Sequence, residues 1–368
     1  MARPTDVATF SSKKHDETVS KMRERREAVH AAGEEVYRRT GKLHADVDIH
    51  GKKRVSRNSM EKNADGTYTL KNGVALPILS QFDGTGSMGG NVEKAFNAIP
   101  VFDTMLGSIR GRYNTQIATG VMQDVVDRHP VFQMSQFESD NRFAEQMRYL
   151  IPDKGGGDST EDYDLGLAYL MGAVETDLSN FYGLKGYAFL VADEIGRGNV
   201  SANGAKSHLG LNMQTMSTAA ICTKILERWH QFYIHVGGHA SRTTGWWAER
   251  LGNERIVVVP DPDFLAEVQA GLIYVTETLQ PDEAGFIEFI TVGGSNRRIS
   301  AMEARKVWVW LQSVSPVFGA QAKLPGFNNI PMPGSIFNDF RAAFPGAGTA
   351  GIVKTETSLA RKFDWSNF

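Results

Sequence analysis

The stretch Val74-Ala75-Leu76-Pro77-Ile78-Leu79-Ser80-Gln81-Phe82-Asp83-Gly84-Thr85-Gly86-Ser87 decides how this chain is read. Its opening is an unbroken apolar run of the kind that forms a buried strand. Its end places oxygen-bearing side chains at every second position, with glycines between them that let the backbone turn sharply. A carboxylate and two hydroxyls then converge on one small volume. Hard divalent cations take such oxygen ligands and keep positions for water or a partner's oxygen. The segment reads as part of a metal site at the mouth of an α/β sheet.

Outward from this stretch, strand-like and helix-like segments alternate from about 74 to 280, as βα units do. Strands are expected at 74–82, 115–122, 131–137, 186–192, 232–237 and 255–259. Helices are expected near 90–109, 141–150, 161–178, 213–230, 241–251 and 262–279. The pair 115–122 and 131–137 leaves no room for a helix and should form an antiparallel hairpin. The others suit a doubly wound, mostly parallel sheet flanked by helices. Ligands gather outside the carboxyl ends of such strands. Two further loops contribute carboxylates there. Asp158 follows the triplet Gly155-Gly156-Gly157, and Asp193 ends the apolar run Tyr187–Ala192. Carboxylates packed together repel unless a cation neutralises them.

With these residues in place the chain resembles the von Willebrand factor A family, whose signature is a metal-ion-dependent adhesion site. The family's Asp-x-Ser-x-Ser is here Asp83-x-Thr85-x-Ser87. Asp158, within Gly-Gly-Gly-Asp-x-x-Glu-Asp, stands where the family's second loop usually supplies threonine, and Asp193 matches its strand-ending aspartate. That variant looks closest to the subgroup found beside atypical α-kinases, although Thr160 replaces its usual proline and no kinase domain is evident. The resemblance implies a Rossmann-like fold and a site for Mg²⁺ or Mn²⁺, with Ca²⁺ as an alternative. It also implies a protein partner whose acidic side chain completes the coordination. Intracellular members often act beside an AAA+ ATPase, which makes such an ATPase an expected partner.

Gly84-x-Gly86-x-x-Gly89, with Asp103 beyond it, also satisfies a dinucleotide-binding fingerprint. Phosphates prefer bare backbone amides at a helix N-terminus, and Asp83 would set a negative charge against them. The cation reading is therefore preferred. The long polar loop 195–212 starts two residues after Asp193 and is expected to overhang the metal face, with Arg197, Lys206 and His208 as partner contacts. His239 could reach the metal rim. Trp246-Trp247, Trp308 and Trp310 read as packing residues, and Cys222 as a core thiol.

Hydrophobic content of 41%, charged content of 22% and a formal net charge of −2 describe an ordinary globular chain. They give no global pull toward nucleic acid or anionic lipid. The single cysteine fits a reducing compartment, and with no secretory signal or membrane-length apolar run a cytoplasmic location is expected. Residues 1–73 form a basic, partly helical extension, with a charged helix over 15–39 and short extended pieces over 51–73. Residues 74–280 form the principal domain. Residues 281–368 form an extension that packs back on it, with a short strand at Phe286–Ile290, a helix over Ser300–Val314 and aromatic residues Trp308, Trp310, Phe318, Phe327, Phe337, Phe340 and Phe344. No nucleophile–base pair stands out. The expected function is metal-dependent protein binding without catalysis. Two alternatives stay open: a structural or assembly protein whose metal only orders loops, and a metal-dependent phosphoester or nucleotide hydrolase.

Overall fold

A computed structural model of the protein describes residues 30–88, 91, 94, 113–140, 142–153, 155, 160–237, 241–278, 281–292, 299–314 and 330–338. Its centre is a six-stranded sheet of β1 (Val74–Asp83), β2 (Tyr113–Met122), β3 (Phe132–Met134), β4 (Gly186–Ala192), β5 (Trp229–Val236) and β6 (Ile256–Val259), in the order β6-β5-β4-β1-β2-β3. All neighbours are parallel except β3, which runs antiparallel to β2 at the edge. The α/β architecture and the edge hairpin are those expected from the sequence.

The helices, in chain order, are α1 (Ala31–Thr40), α2 (Arg142–Met147), α3 (Tyr163–Ala173), α4 (Asp177–Tyr182), α5 (Thr218–Arg228), α6 (Ser241–Leu251), α7 (Leu265–Glu277), α8 (Glu283–Val292) and α9 (Ala301–Leu311). They cover both faces of the sheet, and the two-residue period of the strands sorts side chains between them. Ile78, Phe82, Phe189, Val191, Phe232 and Ile234 pack with Leu272 of α7, Phe286 of α8 and Val307 of α9. Leu79, Ala188, Leu190, Ala192 and Tyr233 pack with Leu170 of α3, Ile221 of α5 and Trp247 of α6. Cys222 lies in this second core, fully buried. Burial on both faces explains why β1 is an apolar run rather than an alternating one.

Three expectations are corrected. The strand expected at Phe286–Ile290 is the middle of α8. A short apolar run does not distinguish strand from helix; Phe286 and Ile290, one helical turn apart, are the two fully buried positions. The helix expected over 161–178 stops at Ala173, where Val174–Thr176 turns extended and pairs in parallel with Arg54–Ser56. Thr176 then caps α4 by accepting from the Ser179 amide. The third correction concerns the loop 195–212, described with the site. Of the helix expected at 90–109 only Asn91 and Lys94 are described, both helical, and residues 15–29 of the expected N-terminal helix lie outside the described residues.

Both flanking regions join the central cores. Val47 and Leu70 from the N-terminal region, and α8 and α9 from the C-terminal one, share the first core with the sheet. Trp308, Trp310 and Phe337 pack against it, while Phe318, Phe327, Phe340 and Phe344 lie outside the described residues. Helix α9 opens with a capping box in which Ser300 Oγ accepts from the Glu303 amide and the Glu303 carboxylate accepts from the Ser300 amide. Ser300→Ala should cost about 1 kcal/mol, read as a lower midpoint in urea unfolding at an unchanged slope.

Candidate metal centre

Strand β1 is buried along its whole length and delivers Asp83 to the carboxyl edge of the sheet, beside Met122 at the end of β2. The next residue has to be glycine. A Cβ on Gly84 would lie 2.6 Å from Val121 Cγ1 and 3.3 Å from main-chain atoms of Met122 and Pro152. This close packing, rather than phosphate binding, accounts for the first glycine of the dinucleotide-like pattern. Gly89 and Asp103 of that pattern lie outside the described residues.

Asp83 is fully buried. Its Oδ1 accepts from the Thr85 amide at 2.7 Å and from Thr85 Oγ1 at 2.6 Å. Thr85 Oγ1 lies 3.2 Å from Ser87 Oγ, which donates to Asp193 Oδ1 at 2.9 Å. Four of the five residues assigned to the metal from sequence are thus joined by hydrogen bonds across two strand ends. Asp158 lies outside the described residues. The described residues flanking it are tied to both neighbouring loops. Gly155 accepts through its carbonyl from the Gly86 amide, and Thr160–Glu161 pairs in parallel with Ile195–Gly196 just past Asp193.

Burial pushes the Asp83 carboxyl up to about 7, with hydrogen bonds from Thr85 and Tyr163 opposing and the Asp193 charge adding to the rise. Burial likewise raises Glu194, helped by Asp193. The residues present fit a hard divalent cation. Every donor is oxygen, two are carboxylates, and a hydroxyl that donates its proton to a carboxylate turns its lone pairs outward for a metal. A cation would also supply the counter-charge that a desolvated carboxylate lacks. Among the described residues no group of three or more His, Cys, Asp or Glu side chains is placed to hold a metal. The cluster has two carboxylates and two hydroxyls.

Aromatic residues that the sequence reading assigned to packing, or passed over, hold this edge in place. Tyr163, at the start of α3, donates to Asp83 Oδ2 at 2.6 Å. The turn after Asp193 is pinned through the Glu194 carbonyl, which accepts from Tyr233 Oη at 3.3 Å and Trp247 Nε1 at 3.1 Å. Tyr163 starts α3, but Tyr233 lies within β5 and Trp247 within α6, so no shared position in the sequence marks them.

The residues proposed for partner contact are placed differently from the expectation. Arg197 turns inward, its guanidinium 2.5 Å from the buried Asp124 carboxylate and 3.0 Å from Asp162. After Arg197 the loop leaves the metal edge and runs along α3. Gly198 donates to Asp164, Gly172 faces Leu211, and Leu209 accepts through its carbonyl from the Gly51 amide. Lys206 and His208 therefore sit on a wide, π-type helical turn, Ala205–Leu209, against the N-terminal region rather than over the oxygen cluster. Apolar Leu209 and Leu211 drive this docking. His239 lies outside the described residues.

The fold and the cluster together define an α/β protein with an oxygen-lined site at the carboxyl edge of its sheet. No family model matches the chain, and no curated protein does either. Solved structures similar to part of it include proximal thread matrix protein 1 from the mussel byssus, at 14% identity and a TM-score of 0.34 over 55% of this chain and 48% of that one. That protein has also been solved with a zinc-occupied MIDAS motif. A von Willebrand factor type A protein from Catenulispora acidiphila aligns at 12% identity and a TM-score of 0.33, over 56% of this chain and 43% of that one. The pilus adhesin SpaC from Lactobacillus rhamnosus GG aligns at 11% identity and a TM-score of 0.40, over 60% of this chain and 33% of that one. The chain thus spans less than half the length of each. Among the described residues no helix is long and apolar enough to cross a membrane.

Proposed function

We propose that this chain is a non-enzymatic binding module that engages a protein partner through a divalent cation. The observation that carries this reading is the hydrogen-bonded oxygen cluster of Asp83, Thr85, Ser87 and Asp193 around a buried carboxylate. These four residues, with Asp158, would hold Mg²⁺ or Mn²⁺. When bound, the ion supplies a positive centre that attracts a partner's carboxylate. The protein's own part is positional: Tyr163 orients Asp83, and Tyr233 and Trp247 fix the turn that carries Asp193.

The surrounding loops are already tied together by Arg197, by the Gly86–Gly155 bond and by the paired segments 160–161 and 195–196. A cation needed only to order loops would be redundant, which favours partner binding over the structural alternative. An AAA+ ATPase is the partner class carried over from the family resemblance. A cytoplasmic setting belongs to the same reading.

The test combines Mn²⁺ titration of the purified protein with affinity capture from native lysate in Mg²⁺ and in EDTA, repeated with Asp83→Ala. A specific partner retained in Mg²⁺ and lost in both controls is expected. Equal recovery throughout would refute the metal bridge, and metal-dependent turnover of a phosphoester or nucleotide would move the protein to the hydrolase class.

A further inference from the structure

Arg197 follows Asp193 by four residues, and its backbone is gripped on both sides. Gly198 donates its amide to Asp164 Oδ2 at 3.0 Å, and a Cβ on Gly196 would lie 2.8 Å from Asp164 Oδ1. The turn is thus seated against the start of α3. From that seat the guanidinium reaches in three directions. Its Nη2 lies 2.5 Å from Asp124 Oδ2, its Nε 3.0 Å from Asp162 Oδ1, and its Nη1 donates to Thr160 Oγ1 at 3.1 Å. Asp124 is buried and stands two residues beyond Met122, the register partner of Asp83. The Met122 carbonyl in turn accepts from the Gly84 amide at 2.8 Å. These ties close a ring. One arm runs from Asp83 through Thr85 and Ser87 to Asp193. The other runs from the end of β2 through Asp124 and Arg197 to the turn after Asp193.

We infer that Arg197 is a positioning residue for the cation site, a clamp that holds the Asp193 turn at a fixed reach from Asp83 so that the site is assembled before its ion arrives. This rests on the reading of the cluster as a cation site. A buried ion pair is a poor source of stability, because desolvating its charges offsets most of their attraction. What a planar guanidinium supplies against fixed acceptors is direction. Without the clamp, the incoming ion must itself order the Asp193 turn, and that cost lowers its affinity. The charge effect of losing Arg197 has the opposite sign. Removing a cation and baring Asp124 and Asp162 would by itself draw a divalent ion in more strongly. Weaker ion binding in an Arg197 variant is therefore the signature of lost position.

The test reads Mn²⁺ affinity by electron paramagnetic resonance of the free ion, at a temperature where circular dichroism shows each protein folded. It compares wild type with Arg197→Gln, Arg197→Lys, the charge-balanced pair Arg197→Gln/Asp124→Asn, and Ser300→Ala as a variant weakened far from the cluster in sequence. Arg197→Gln should bind Mn²⁺ about tenfold more weakly or worse, as when a group that orients a metal ligand is lost. The pair, which leaves no bare charge at Asp124, should show a similar loss. Lysine keeps the charge without the fork and should recover part of it, while Ser300→Ala should bind like wild type. Unchanged or tighter binding by Arg197→Gln and by the pair would overturn the inference alone. So would an equal loss in Ser300→Ala, which would trace the effect to general destabilisation. A wild type that takes up no Mn²⁺ would overturn the cation reading and the clamp with it.

Discussion

Asp83→Asn is expected to weaken divalent-cation binding by roughly 100-fold or more, and to make the metal-free protein more stable above neutral pH. The first effect follows from removing the charge at the centre of the cluster. The second follows from proton linkage. Burial pushes the folded carboxyl up to about 7, whereas an unfolded aspartate titrates at about 3.9. Stability from this group is therefore fully present below about pH 4 and is lost as pH rises toward 7. Asparagine has no proton to lose and escapes that decline, a difference of a few kcal/mol at about pH 8. Thermal unfolding in EDTA at about pH 5 and about pH 8, with isothermal titration of MnCl₂, measures both effects. Unchanged Mn²⁺ affinity would remove Asp83 from the site. A wild type that gains stability with pH relative to the variant would reverse the linkage.

The largest loss of stability is expected from Arg54→Met. Arg54 is 1% exposed, and its guanidinium donates to four main-chain carbonyls, those of Asp46, Asp48, Met134 and Ser135, at 2.7–3.1 Å. Burial lowers its pKa, yet it stays far above neutrality as guanidinium groups do. Methionine fills similar space but leaves those acceptors without donors. The cost should be about 3 kcal/mol or more, a drop in melting temperature of roughly 5–10 °C. Arg54→Lys, with its single donor head, should fall between the two. A methionine variant that melts with the wild type would mean that the carbonyls find other donors at no cost.

The parts of the molecule legible from sequence were those written in local pattern. The all-apolar run of β1, the alternating polar and glycine residues after it and the short interval before β3 each specify their structure within about a dozen residues. The unread parts depend on distant contacts. Arg54 sits in a basic segment that suggests a solvated face, and the carbonyls of Met134 and Ser135, some 80 positions away, join the nearby ones of Asp46 and Asp48 to turn it into an interior anchor. The run around Phe286 becomes helical because α7 and α9 offer it a groove beside the sheet. The polar loop after Asp193 resembled an overhang, but two leucines fold it down along α3. Tyr163 carried no motif, because its hydroxyl matters only once α3 begins beside Asp83.

The anchoring of residues 46–48 by Arg54 has a further consequence for the rim of the sheet. Met134, on the outermost strand, donates its amide to the Val47 carbonyl, and its own carbonyl is taken by Arg54. A strand left bare at that rim would be a template for pairing with another molecule and for aggregation. The arginine thus acts as a latch on a cover strip, keeping the hairpin from recruiting foreign strands.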